Sequence, residues 1–342
     1  MTTPLSDAAW REALPKISLF SHLEATPTPT QWWELLHGGG GDSELQTLAD
    51  FERMLSATSP APEAFWAWKS HTLSTPERWS ALAEAAARRL AAANVVYAEL
   101  SLTPLEVAHH GFGLETLLRA VNRGFAEVPQ VTARIILDVD ASRGAAAVLD
   151  LVEEASDLLG AGVVGLHVGV DSRVLDASWA PVRERCDELA LHRVIRVQGQ
   201  DALRAAAQHL APNRILPSGD WAADPELREQ VIRERVCVLL AGAALGATSG
   251  ATSGAESWPS ADWLQQAERD GMRIALAHPL PTFSGMALSE ALSSPVPGIP
   301  RTQTRAWQQT AAGASAQPYH ARRQLLGDLV TDPVWFEELP SA

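Results

Sequence analysis

The sequence predicts an α/β fold, a single (β/α)8 TIM barrel with a helical insertion between strands 1 and 2. Three observations predict it. Eight short apolar runs recur along the chain. The runs are continuously apolar rather than alternating, as parallel strands covered on both faces require. Amphipathic helical sequence separates most of them, and serial β-to-α units close most readily as a barrel. A doubly wound open sheet is the competing arrangement. One domain over residues 1–342 is expected, with a barrel core at 14–292 and an irregular or helical tail at 293–342.

In chain order the expected strands are Ile17–His22, Val95–Ser101, Ala133–Val139, Val163–Val168, Arg193–Gln198, Arg214–Pro217, Val236–Ala241 and Arg273–Ala277. Leu114–Val128, Ala145–Leu159 and Pro259–Arg269 carry helical periodicity. Ser260 and Asp224 each stand where a helix N-cap is expected, and Pro225 follows Asp224 at the first helical position. The stretch between His22 and Val95 is too long for one crossover. It holds Trp32, Trp33, Trp66, Trp68 and Trp79, so several helices packed over the barrel mouth are expected there. The repeat Gly246–Ser253 is expected to form a loop, and the Pro-, Gly- and Ala-rich segment Ser293–Gln317 to be irregular.

Composition narrows the function classes. The formal net charge of −14 disfavours nucleic acid and anionic membrane surfaces, both of which need a basic patch. No basic leader and no long apolar run occurs, so a cytoplasmic location is expected. Cys186 and Cys237 are too few for a disulfide framework or a thiolate zinc site and read as small buried residues.

The strand ends carry a resemblance. Leu14-Pro15-Lys16 through His22-Leu23-Glu24 is similar to LPKxELHxHLxG. Val95–Leu100 with Thr103-Pro104 is similar to VxYxExRxxP, and Gly162–Leu166 to the start of GVVGxDLxG. Asn213-Arg214-Ile215 falls on RIGHG, and Gly271–Ile274 with Pro281 and Glu290 on GVRVxxxSDDPxxxGxxLxxE. In this order and spacing the chain resembles the adenosine deaminase family of the amidohydrolase superfamily.

That resemblance implies zinc-dependent hydrolytic deamination of a purine nucleoside. It places zinc ligands on strands one, five and eight, a proton-relaying glutamate after strand five and an assisting histidine after strand six. This chain departs from the pattern at nearly every one of those positions. The first histidine of HxH is Phe20 and only His22 remains; the strand-five histidine is Val197 and its glutamate Gln200. The strand-six histidine is Pro217, and SDDP reads His278-Pro279-Leu280-Pro281. Phenylalanine, valine and proline offer zinc no lone pair, and the Gln200 amide has no titratable proton.

Zinc, which the resemblance implies, is therefore expected to be absent. The expected function is a deaminase-like pseudoenzyme that binds, regulates or scaffolds, alone as an oligomer or with an active paralogue. The alternative is a purine nucleoside deaminase or related hydrolase with a remodelled, metal-independent site that takes a small molecule. Candidate pocket residues are His22, Glu99, His167, Gln198, Gln200 and His278, with Glu99 and Asp138 expected at the same end of the barrel.

Overall fold

The computed structural model describes residues 5–38, 47–56, 61–107, 110–170, 175–218, 221–241, 260–283, 286–294 and 298–337. The Gly246–Ser253 repeat lies outside them. Eight parallel strands follow one another around a single sheet in sequence order. They are β1 (Lys16–His22), β2 (Val95–Leu102), β3 (Thr132–Asp140), β4 (Val163–Val170), β5 (His192–Gln198), β6 (Arg214–Ser218), β7 (Cys237–Leu240) and β8 (Arg273–Leu276). Hydrogen bonds from His22 N to the Pro279 carbonyl (2.9 Å) and from Ser21 Oγ to the His278 carbonyl (2.8 Å) draw the ends of β1 and β8 together. The chain is a (β/α)8 barrel.

Strand alternation sorts the apolar side chains into two clusters. Tyr97, Ile136, Val194, Leu216, Cys237, Leu239 and Ala275 pack together inside the barrel. Ala98, Ile135, Leu137, Ile195, Val197, Ile215 and Val238 pack outward with the helices. Both cysteines are buried and free, and burial pushes both thiols up to about 11, so they behave as small apolar residues. The predicted caps form: Asp224 accepts from the Glu226 and Leu227 amides and Ser260 Oγ from the Trp263 amide.

The long connection between β1 and β2 contains the helices Pro29–Gly38, Leu48–Ser56, Ala61–Thr72 and Pro76–Ala92. The last of these packs closely on the helix Leu114–Ala126. At the crossing Gly124 has no room for a side chain, because a Cβ there would overlap the Ser80 carbonyl oxygen and press on Ala83. Gly124→Ala is therefore expected to lower stability by roughly 1–3 kcal/mol, because the backbones must separate. A lower urea midpoint with an unchanged slope would be the signature.

The segment Ser293–Gln317 differs from expectation, because Arg301–Ala314 form a helix; Tyr319–Thr331 form another, within a tail expected to be irregular or helical. Gln308 reaches from the first of them to β1, its Oε1 accepting from Ile17 N at 2.8 Å and its Nε2 donating to the Leu292 carbonyl at 2.6 Å. The prolines that suggested irregularity all lie outside the first helix, before Arg301 or after Ala314. Inside it the residues are good or tolerable helix formers, and burial of Trp307, Ala311 and Ala312 supplies the packing face.

Candidate active site

Ligand chemistry in a barrel gathers at the C-terminal ends of the strands. Here β3 and β4 are paired so that Asp138 stands beside His167, and both side chains turn into the mouth. Asp138 Oδ1 lies 2.5 Å from His167 Nδ1, and Asp138 Oδ2 lies 3.1 Å from His22 Nδ1. His22 Nδ1 is also 2.9 Å from Ser101 Oγ. One carboxylate thus bridges two imidazoles.

The protonation pattern follows from this geometry. An ionised carboxylate only accepts, so each Nδ1 must carry its proton. Burial alone would raise the Asp138 carboxyl. The charge and hydrogen bonds of His167 and His22 outweigh that and hold it well below the usual carboxylate range. Burial lowers the His167 pKa despite the attraction of Asp138, which favours the neutral ring. Its Nε2 is buried and has no hydrogen-bond partner. A neutral imidazole whose Nδ1–H is fixed by a carboxylate presents a basic lone pair at Nε2.

The cavity beside this group has a volume of about 280 Å³. His22, His167, Asp138, Arg196, Trp66 and Glu106 are among the described residues that line it. Trp66 comes from the inserted helix Ala61–Thr72, its ring edge-on to His22 at 5.5 Å. Lys69 of the same helix fixes it from behind, with Nζ 4.2 Å above the ring. Lys69 is itself buried between Glu24 (2.7 Å) and Glu106 (3.2 Å). Burial would lower its pKa, but the two carboxylates reverse the direction and keep it charged. The tryptophan-rich insertion thus helps wall the mouth.

The other sequence candidates do not join this cluster. Glu99, expected at the same end as Asp138, is fully buried in the barrel interior. It pairs with Arg214 at 2.5 Å and accepts from Tyr97 Oη (2.9 Å) and Ala316 N (2.7 Å). Its partner stands at the first position of β6, so the pair lies toward the opposite end. Gln198 is exposed and Gln200 half-buried in the first turn of the helix Gln200–His209; neither lines the cavity. His278 is buried away from it, and burial with Arg89 nearby pushes its imidazole down to about 4.

A pH dependence follows from His278. Its folded pKa lies below the unfolded value near 6.5, so the unfolded chain binds the proton more readily. The stability it supports is present above about pH 6.5 and declines as the pH falls toward 4, by about 3 kcal/mol at most. Urea midpoints measured across that window should fall with pH, and His278→Gln should flatten the slope.

No family model matches the chain. Its curated relatives include the aminodeoxyfutalosine deaminase of Acidothermus cellulolyticus. The two are 29% identical over 247 residues, which is 67% of this chain and 68% of that protein. Adenosine deaminase 1 of Streptomyces coelicolor is 31% identical over 194 residues, 53% of this chain and 47% of that protein. The chain thus matches about half the length of that second relative. Over these stretches the chain is homologous to proteins named as aminodeoxyfutalosine and adenosine deaminases.

Among solved structures, the N6-methyl-AMP deaminase of Arabidopsis thaliana superposes with a TM-score of 0.78. It has 19% identity and covers 95% of this chain and 98% of its own, a likeness that shows the shared fold.

Against the adenosine deaminase pattern, the structure places the departures as follows. Phe20 is fully buried and packs against both imidazoles, its ring 4.5 Å from that of His167 and 5.2 Å from that of His22. Val197 packs outward with the helices, and Pro217 beside it in register is half-buried. Pro279 is buried, its carbonyl held by His22 N. From β5 it is Arg196 that lines the cavity. Gly169 stands opposite it on β4, and a Cβ there would press on the guanidinium. Among the described residues no group of three or more His, Cys, Asp and Glu side chains is placed to hold a metal. The donors at the mouth do not fit the family's zinc centre.

The sequence singles out neither Arg196 nor the bridging role of Asp138, and Trp66 stands there as one of five tryptophans over the mouth. The two-residue alternation along β3, β4 and β5 was the available signal. It puts Asp138, His167 and Arg196 on the inward face once the strands are aligned.

Proposed function

We propose that the chain is a deaminase-related hydrolase for a purine-like small molecule, working through a remodelled site without the family's zinc. The observation that carries this reading is the Asp138 carboxylate bridging His22 and His167 at the edge of a cavity at the strand ends. Homology to curated deaminases supports the reaction class. Arg196 in the lining and the buried side chains Phe20 and Val197 at former ligand positions support its independence from zinc.

In this reading Asp138 holds both imidazoles by their Nδ1–H groups, leaving the Nε2 lone pairs as bases. One of them would take a proton from an attacking water and return it to the departing amine. Trp66 would stack on the heterocycle, and Arg196 would bind an oxygen or ring nitrogen of the ligand.

A second reading, a catalytically silent binding subunit, is favoured by one observation: Phe20, which offers neither a lone pair nor a proton, packs against both imidazoles. Amine release, as ammonia from adenine, adenosine and AMP and as methylamine from N6-methylated AMP, separates the readings. Release that disappears in His22→Gln supports the enzyme. Ligand binding with no release from any of them supports the silent subunit.

A further inference from the structure

The far end of the barrel holds a second concave site. It is built at the N-terminal ends of β5 to β8, opposite the mouth. His192 opens β5, Asn213 immediately precedes β6, Arg235 lies two residues before β7, Arg273 opens β8, and Arg322 comes from the helix Tyr319–Thr331. Together with Glu234 they line a cavity of about 560 Å³.

Its charge is out of keeping with the rest of the chain, which carries 41 acidic residues against 27 Lys and Arg. Among the described residues, none of Arg235, Arg273 and Arg322 lies within 4.0 Å of a carboxylate. Arg273 Nη1 donates to the Arg235 carbonyl (3.0 Å) and Arg322 Nη1 to the Gly313 carbonyl (3.3 Å). Capping such carbonyls is a structural task, but it uses one donor of the five each guanidinium carries. The Asn213 Oδ1 accepts from Arg193 N at 2.8 Å, which leaves its amide NH2 to donate. His192 Nδ1 is buried without a partner. Burial and the positive field of Arg214, Arg322 and Arg193 push that ring down to about 3, so it is neutral and able to hydrogen-bond in either sense. Glu234 is the one acidic side chain in the described lining.

Forked donors from three arginines in a cavity, with an amide NH2 beside them, match a tetrahedral oxyanion better than a carboxylate or a nucleobase. The volume suits a small molecule rather than a bare ion. We propose that this cavity binds a phosphate-bearing small molecule, at a site separate from the mouth. Because the two lie at opposite ends, occupancy of one does not block the other.

Calorimetric titration of the full chain with pyrophosphate and with inorganic phosphate, at ionic strength fixed with chloride, tests this. Saturable one-to-one binding is expected, tighter for pyrophosphate. It should weaken at least ~10-fold in Arg322→Gln, a half-buried position on the outer helix, and less in Arg322→Lys. Binding should persist in Asp138→Asn, so the result does not depend on what the mouth does. A response that never saturates, or one that Arg322→Gln leaves unchanged while the circular dichroism stays native, overturns the proposal.

Discussion

Replacing Arg214 by methionine is expected to destabilise the barrel by about 3–5 kcal/mol, the cost of stranding a charge in the interior. Arg214 and Glu99 are both completely buried, and their 2.5 Å contact is the main compensation for taking two charges out of water. Arg214 also donates to the Leu19 carbonyl at 3.2 Å, tying β6 across the interior to β1. Methionine fills much of the same volume but leaves Glu99 with only the Tyr97 hydroxyl and the Ala316 amide. Urea unfolding followed by tryptophan fluorescence reads the loss. The double variant Arg214→Met with Glu99→Leu should recover a large part of it, because no unpaired charge remains. Equal instability in the single and double variants would show that the interior needs the arginine for its shape.

Asp138→Asn is expected to reduce turnover of an accepted substrate by at least ~100-fold, the range of a lost acid–base arrangement. An asparagine keeps the size of the side chain but replaces one accepting oxygen by a donating NH2. It can accept from one Nδ1–H only, so the other imidazole must move its proton to Nε2 or turn away. That removes a basic lone pair from the cavity without opening a hole. The wild-type carboxyl, held below the usual range, stays ionised through mildly acidic pH. Its contribution to stability is present above about pH 4 and lost only as the pH falls further, through its folded pKa. The acid limb of a pH–rate profile above pH 5 therefore does not report Asp138. Ligand binding should weaken far less than turnover.

The barrel itself was legible because its signals are local. Continuous apolar runs, capped helices and regular spacing need no knowledge of which strand meets which, and β1 to β8 lie within a residue or two of their expected positions. The helix Arg301–Ala314 is masked in the sequence by the prolines that flank it. Its stability comes from contacts with β1 and β8, which lie far away in sequence.

The site was half legible. His22 and His167 are candidates in the sequence, although β1 and β4 are not neighbours in the sheet. An eight-stranded interior is narrow enough for side chains from opposite walls to touch, and Asp138 of β3 completes the link. Glu99 shares the inward face of its strand with Ser101, which hydrogen-bonds His22 at the mouth. Its place toward the opposite end of the barrel depends on inter-strand register, which composition and spacing do not reveal.

The central claim, a site that works through an Asp-bridged pair of imidazoles without zinc, is tested most directly by ammonia release from protein of known metal content. The purified chain would be stripped with a chelator, its zinc measured, and amino-purine turnover compared before and after. Less than stoichiometric zinc, turnover unchanged by stripping, and loss of turnover in Asp138→Asn are expected. One tightly held zinc per chain, with turnover that vanishes on stripping and returns when zinc is restored, would contradict it.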